Sequence, residues 1–423
     1  MDGRMRASRV VVLGGGFGGV AAARALRGAD VEVLIIDRRN HHIFQPLLYQ
    51  VATAVLAPSE VAAPLRQLAQ QQPNLSVLLG EVTDIELASR RVKVSSPGLP
   101  ATSIAFDYLV VATGVRPTYF GHDEFAQFAP SLKTITDAEG IRARILSAYE
   151  RAEQLENEAE RAQALTFILV GGGPTGVELA ASIAQMAHIT LRSNFRRLNP
   201  ADTRVLVIEG AGRILPSFSE ALSSKAARHL GRLGVEIRTG VIVERVDATG
   251  VWVAGQRIAS DTVLWTAGVQ ASPLIAQLGV KTDRSGRALV GKLLDVPGHP
   301  DVFVIGDAAA LVRNGHPLPG VAQVAIQEGR FVGRVLAARL AGRPFARGFR
   351  YRDRGNMAVV GKNFAILERG KLQMSGTLTW ILWALIHVMF LPQVQNRLRV
   401  QMQWLWSYVT GQRSSRLIPE PRH

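Results

Sequence analysis

Two stretches of this chain carry the same local pattern, and each admits very few folds. Gly14-Gly15-Gly16-Phe17-Gly18-Gly19 follows the apolar run Val10 to Leu13, and Gly171-Gly172-Gly173-Pro174-Thr175-Gly176 follows Thr166 to Val170, 157 positions further on. In both, glycines stand one and then two residues apart between a strand-like run and a helix-forming segment. That spacing lets backbone amides at a helix N-terminus approach a pyrophosphate, and it belongs to a parallel sheet with crossover helices. The expected fold class is therefore α/β, with two Rossmann-like dinucleotide-binding domains. A chain of 423 residues with 47% apolar content is large enough for the cores this needs.

Around the first turn, the alanine-rich segment Val20 to Leu26 reads as the helix and Val31 to Ile36 as the second strand. That strand ends at Asp37, 21 positions beyond Gly16, where a carboxylate accepts from ribose hydroxyls. Gly14, Gly16, Phe17, Gly18, Gly19, Asp37 and Arg38 form the candidate contact set. Two more strand ends can complete a flavin site: Leu109 to Ala112 running into Thr113-Gly114, and Val302 to Ile305 running into Gly306-Asp307-Ala308-Ala309. Asp307 can bond a ribityl hydroxyl, but each segment reads equally well as a capped turn.

At the second turn the candidate contacts are Gly171, Gly173, Thr175 and Gly176, with a helix over Val177 to Ala187 and a strand over Val205 to Ile208. Glu209 closes that strand 33 residues beyond Gly176, because Thr190 to Asp202 is inserted first. A carboxylate there selects NADH over NADPH, although nearby Arg213 argues the other way. A connecting helix is expected over about Ala138 to Ala164, and Gly291 to Pro300 reads as a loop. Glu178, in the first turn of the second helix, has two open readings: a favourable charge at a helix N-terminus, or an acid with a chemical role.

Gln323 and Gln327 lie four apart, so they share one helix face and can position a carbonyl compound, or else are ordinary polar residues near a cap. Beyond them, Leu378 to Leu391 is a 14-residue apolar stretch ending at Pro392, about 21 Å as a helix and too short for a hydrocarbon core near 30 Å. His387 within it reads as a polar residue near lipid headgroups. Val394, Leu398, Met402, Leu405 and Val409 then form a stripe beside Arg397 and Arg399, with Trp404, Trp406 and Tyr408 as interfacial rings. This suits an amphipathic, membrane-anchoring helical region lying on an anionic lipid surface, with an oligomer interface as the alternative. The formal charge of +15 fits such a surface, and with no compact basic motif nucleic acid is not expected as a partner. Arg4, Arg6 and Arg9 are not followed by an apolar run ending in a cleavage site, so a cytoplasmic start is expected. With no cysteine there is no dithiol, disulfide or thiolate metal site, and no metal centre is expected.

Taken together, these segments resemble the type II NADH dehydrogenases, single-subunit NADH:quinone oxidoreductases that do not pump protons. The resemblance covers nearly the whole chain: the Gly14 turn, His42 to Ala52, Ala112-Thr113-Gly114, Gly171 to Leu179, Trp265 to Val269, Gly306-Asp307-Ala308, Ala322 to Gly329 and the Trp380 to Arg399 tail. It implies non-covalent FAD at the first site, NADH as substrate at the second with Gly268 among the cofactor contacts, and Gln323 and Gln327 lining a quinone site. Asp37 and Asp307 would contact FAD, Glu209 the NADH ribose, and Glu178 would take part in proton handling. Asp37 stands where relatives often have glutamate, a shorter reach with the same chemistry. The implied division is 1–125 and 269–345 for FAD, 126–268 for NADH, and 346–423 for the membrane-associated tail. The implied partners are a membrane quinone (menaquinone or ubiquinone) and a second copy in a homodimer. The implied location is the cytoplasmic side of the cell inner membrane, peripheral and monotopic. A sulfide:quinone oxidoreductase is excluded because its chemistry needs cysteine. The alternatives left are a soluble FAD-dependent NAD(P)H reductase serving a ferredoxin-like carrier protein, and a partner-switching protein that holds both nucleotides.

Overall fold

The computed structural model describes residues 7–313 and 315–418. Residues 1–6, with two of the amino-terminal arginines, and the last five of the expected 346–423 tail lie outside the described residues. The helices that carry or flank the sites are α1 (Phe17–Ala25), α2 (Leu48–Ala52), α3 (Ile135–Gln154), α4 (Glu158–Ala164), α5 (Pro174–Gln185), α6 (Ala322–Leu340), α7 (Thr377–Phe390) and α8 (Val394–Thr410). The chain divides into two compact units. One comprises the described parts of Met1–His42, Ala63–Arg116 and Val269–Asp353; the other comprises those of Ile43–Ala62, Pro117–Gly268 and Arg354–His423.

The first unit is built on a six-stranded sheet in the order Asp295–Val296, His299–Val304, Tyr108–Val111, Arg9–Leu13, Glu32–Asp37, Leu75–Leu79. Arg9–Leu13 runs parallel to both neighbours, pairing Val11 with Leu34 on one side and Leu109 on the other. Successive side chains of a strand point to opposite faces, so Val10 and Val12 join α1 and α6 in one core while Val11 and Leu13 join an antiparallel three-stranded sheet (residues 81–105) in another. Both faces are covered, which is why Val10 to Leu13 of the strand are apolar in succession rather than alternating. The segment expected to be a loop over 291–300 contains Asp295–Val296, which pairs antiparallel with His299–Val304 to form a short hairpin at the sheet edge.

The second unit repeats the plan with a four-stranded parallel sheet: Val235–Thr239, Arg204–Glu209, Thr166–Val170, Thr262–Trp265. Here too an antiparallel meander (residues 243–259) covers one face, burying Ile168, Val170, Leu206 and Ile208. The connecting helix expected over 138–164 is two helices. The chain breaks at Leu155 to Asn157, where the Asn157 side chain accepts from Ala159 N (2.9 Å) and Glu160 N (3.3 Å) and starts α4 afresh. A further three-stranded sheet over Asn356–Val359, Ala365–Arg369 and Leu372–Gly376, absent from the sequence reading, precedes α7.

Among the described residues no helix is long and apolar enough to cross a membrane. The terminal helices instead wear their apolar residues outside. Val394, Leu398, Met402, Leu405 and Val409 of α8 are 58–75% exposed, as are Leu378, Leu385 and Met389 of α7 at 58–76%. The protein-facing side of α8 is the polar one: Asn396 Nδ2 donates to Ser59 O (3.3 Å) and Ala62 O (3.0 Å), and Trp404 Nε1 donates to Gln50 Oε1 (2.6 Å). Two readings are corrected here. Trp404 is half-buried against the protein rather than an interfacial ring. His387 also faces inward, stacked on Trp383 at 4.4 Å with its Nδ1 on Trp383 O, and burial pushes its pKa down to about 4.

Candidate functional site

In the first unit the glycine turn is as tight as its sequence demands. Gly14 has φ +103°, and a Cβ there would stand 2.5 Å from Ala112 O; a Cβ on Gly19 would overlap Gly14 O. Gly16, the N-cap of α1, is extended, and nothing lies within 4 Å of its missing Cβ, so open space remains where the helix amides point. Asp37, 8% exposed, accepts from Gly15 N (2.7 Å) and Arg39 N (2.8 Å), tying the second strand to the turn. Arg38 beside it is largely exposed, 3.9 Å from Glu81. His42 is buried, donates from Nδ1 to Gly15 O (2.9 Å) and meets Phe17 edge-on at 5.0 Å.

The two strand ends singled out in the sequence lie in this same unit. Gly114 and Gly306 both adopt left-handed backbone, at φ +65° and +69°. The Thr113 hydroxyl is buried without a hydrogen-bond partner, a cost unless a bound group supplies one. Gly306 N donates to Glu328 Oε2 (2.6 Å); that carboxyl is 1% exposed, and burial, aided by Asp307, pushes its pKa up to about 8. Helix α6 packs on α1 through glycine: a Cβ on Gly329 would strike Gly18 O, and one on Gly333 would stand 2.5 Å from Ala25 Cβ. An open helix N-terminus, an orphaned hydroxyl and two strand-end turns fit a flavin nucleotide.

The second unit reproduces the turn. Gly171 has φ +111°, and a Cβ there would come 2.7 Å from Ala267 N; the extended N-cap Gly173 again has nothing within 4 Å of its missing Cβ. Glu209 accepts from Gly172 N (2.5 Å) and Ala211 N (2.8 Å), as Asp37 does in the first unit. Pro174 and Thr175 at the start of α5 are exposed. Gly268 at φ +70° lies so close to Thr118 and Phe120 that no side chain fits. Arg213 spends its guanidinium on Phe218 O (2.6 Å) and Pro216 O (3.1 Å).

The pyridine nucleotide-disulphide oxidoreductase family matches residues 8–329. Two Mycobacterium tuberculosis proteins are similar along almost the whole chain. The type II NADH:quinone oxidoreductase Ndh is 41% identical, with 98% of this chain and 91% of that protein aligned. The type II NADH:quinone oxidoreductase NdhA is 40% identical, with 97% and 89% aligned. The chain belongs to the type II NADH:quinone oxidoreductase family. In fold it is similar to NDH2 from Plasmodium falciparum, solved in complex with NADH, with a TM-score of 0.89 at 18% identity over 98% of this chain and 100% of that one. Unlike the disulphide enzymes of the wider family, this type II NADH:quinone oxidoreductase has no cysteine.

Its remaining candidate residues divide between the units. In the first, Gln323 and Gln327 lie on α6, both half-buried. The Gln327 amide is engaged in both directions, donating to Arg352 O and accepting from Arg352 N, each at 3.0 Å. In the second, Glu178 of this type II NADH:quinone oxidoreductase meets only a long contact from Val359 N (3.4 Å), and burial pushes its pKa up to about 8. The upward shift runs against a helix-capping charge, which acts in its ionised form. Three features escaped the sequence reading. The buried acid Glu328 had no signal beyond its place in the Gln327-Glu328-Gly329 run. Gly329 and Gly333 did, as small residues four apart on a helix. His42 sat inside the quoted His42 to Ala52 segment without an assigned contact.

Proposed function

We infer that the chain oxidises NADH and reduces a quinone, using FAD held without a covalent bond. The observation that carries this is the pair of acid-tied glycine turns, one enclosed and one open, in a member of this family. Gly14, Gly16, Phe17, Gly18, Gly19, Asp37, Arg38, Thr113, Gly114, Gly306 and Asp307 would hold FAD. Gly171, Gly173, Thr175, Gly176, Glu209 and Gly268 would receive NADH. FAD held there would supply the hydride-accepting and two-electron chemistry that links NADH to the quinone. The residues bind and orient: helix amides face the phosphates, Asp37 and Glu209 face ribose hydroxyls, and Gln323 with Gln327 positions a quinone carbonyl. Glu178, protonated near neutrality, is the group that holds an exchangeable proton. On this reading residues 1–125 and 269–345 serve FAD, 126–268 serve NADH and 346–423 serve attachment.

Purified protein should be yellow, bleach with NADH far faster than with NADPH, and recover its colour on adding menaquinone or ubiquinone. Recovery only with a ferredoxin-like carrier protein would favour the soluble-reductase reading instead.

The exposed stripes of α7 and α8, beside Arg397 and Arg399, support a peripheral attachment to anionic lipid on the cytoplasmic face of the inner membrane, where the quinone resides. Replacing Leu398 and Met402 by glutamate should abolish flotation with anionic vesicles and leave the melting temperature unchanged. If the same variant floats but falls from homodimer to monomer, the stripe is a protein interface.

A further inference from the structure

Helices α2 and α5 of the second unit touch at the C-terminal end of α2. Thr53 Oγ1 and Ser182 Oγ are 2.7 Å apart, and Arg413 clamps the junction from its other side, donating to Thr53 O (2.7 Å) and Ser182 O (2.9 Å). Counting back four residues on each helix, one turn along the same faces, gives Tyr49 and Glu178. The Tyr49 ring is 5% exposed, and the Glu178 charge joins burial in pushing the phenol's pKa far up, so Tyr49 keeps its proton at every working pH. No direct hydrogen bond joins the two side chains. The Tyr49 oxygen instead accepts from Gln50 Nε2 (3.0 Å), and Gln50 Oε1 accepts from Trp404 Nε1 (2.6 Å) on α8. Because the phenol oxygen is held as an acceptor from one side, its own proton is turned to another partner.

We propose that Tyr49 is the group that receives the charge of Glu178 when that carboxyl ionises, and that Gln50 and Trp404 are positioning residues holding its hydroxyl for this task. The Tyr49 O–H, acting through one bridging oxygen, steadies the carboxylate left behind whenever Glu178 gives up its proton. The other groups bearing on the pair are the Val359 amide, on Glu178, and Arg413, on Tyr49. The inference rests on the reading of Glu178 as the acid that handles protons. It also ties the chemistry to α8, whose outer face is the exposed stripe.

Infrared titration of the holoenzyme tests this without quinone turnover, with the Glu178 carbonyl band assigned by its loss in Glu178→Gln. The wild-type midpoint is expected near 8. Tyr49→Phe should raise it by about one unit and Gln50→Leu by roughly half a unit, since a donor to the ionised form is lost. Trp404→Phe keeps a ring beside Trp383, whose centroid lies 5.5 Å from that of Trp404, and should shift the midpoint in the same direction by less. In stopped flow these variants should reduce flavin with NADH at the wild-type rate and reoxidise it with quinone about tenfold more slowly, as loss of a charge-assisted hydrogen bond implies. Should Tyr49→Phe not fold, Gln50→Leu and Trp404→Phe carry the same test. A midpoint unmoved in all folded variants overturns the proposal, as does an equal slowing of both half-reactions with the midpoint unchanged. Failure of quinone to reoxidise the wild type would instead overturn the functional reading, while leaving the infrared result to stand or fall by itself.

Discussion

The two glycine turns are near copies in their backbone and differ in what surrounds them. In each, the acid ending the second strand accepts from the amide of the middle glycine, Asp37 from Gly15 (2.7 Å) and Glu209 from Gly172 (2.5 Å), and its other oxygen accepts from the amide two residues on, at 2.8 Å in both. The strand registers are the same at both turns, Gly14 N donating to Ile36 O and Gly171 N to Ile208 O at 2.8 Å each, so the longer glutamate side chain spans an equivalent gap. The surroundings separate them. Phe17 is half-buried and Gly18 buried, with α6 pressed onto Gly18, whereas their counterparts Pro174 and Thr175 stand exposed at the head of α5. Binding geometry is thus set by the turn and residence by what is stacked over it, which suits one resident nucleotide and one that exchanges.

The hardest test of that contrast places a methyl group in each open space. Gly16→Ala and Gly173→Ala both fall at extended N-cap positions with nothing within 4 Å, so both variants should fold, losing about 1 kcal/mol each. In Gly16→Ala the methyl occupies ligand space, costing about 1–3 kcal/mol of cofactor binding or roughly tenfold and more, so the protein should purify pale and take up added FAD weakly. Gly173→Ala should stay yellow, with only the KM for NADH raised. If both variants lose flavin, or neither does, the assignment of resident and exchanging sites is wrong.

A smaller effect is expected at the acids. Glu209→Gln keeps an acceptor for Gly172 N and removes the charge that repels a 2'-phosphate, so kcat/KM for NADPH relative to NADH should rise about tenfold with flavin content unchanged. Asp37→Asn should leave that ratio alone and loosen FAD. Smaller again is Thr113→Val. Removing a buried, unpartnered hydroxyl should leave the apoprotein equally or slightly more stable, by up to about 1 kcal/mol, while FAD binds roughly three- to tenfold more weakly if the hydroxyl serves the flavin. Unchanged FAD affinity would remove Thr113 from the site.

Most of the sheet plan was legible because strand, glycine turn, helix and terminal acid each left a residue-level mark. The rest was written in contacts between distant segments. Asn157 with Glu160 three residues on is a local helix-start signature, but the apolar stripe that continues across it reads as one helix until the Asn157 side chain is seen capping α4. The inward turn of Trp404 depends on Gln50, 354 positions away, and the exposed apolar stripe of α8 looks in sequence like a face meant for a core. That the Arg352 backbone bonds both ends of the Gln327 amide likewise shows only in the fold.

The smallest effect expected concerns how the strand-end turn of each unit is held. In the second unit a neutral hydroxyl, Thr266 Oγ1, donates to Val170 O (3.0 Å) and Gly171 O (2.8 Å); in the first, the buried Glu328 carboxyl accepts from Gly306 N. Only the latter can titrate. Its pKa rises from an ordinary 4.5 to about 8, so between those values the folded chain keeps a proton that the unfolded chain has released. Stability from this group is therefore fully present below pH 4.5 and declines as pH climbs towards 8. Glu328→Gln cannot titrate and keeps an oxygen for the Gly306 amide, so its melting temperature should fall less than the wild type's between pH 5 and pH 8 (about the span of the shift). Glu178 contributes with the same sign, so the comparison is made in a Glu178→Gln background as well. Parallel pH profiles for Glu328→Gln and its parent in both backgrounds would mean that the Glu328 carboxyl is already ionised in the folded protein, and the contrast between a titrating and a non-titrating turn would vanish.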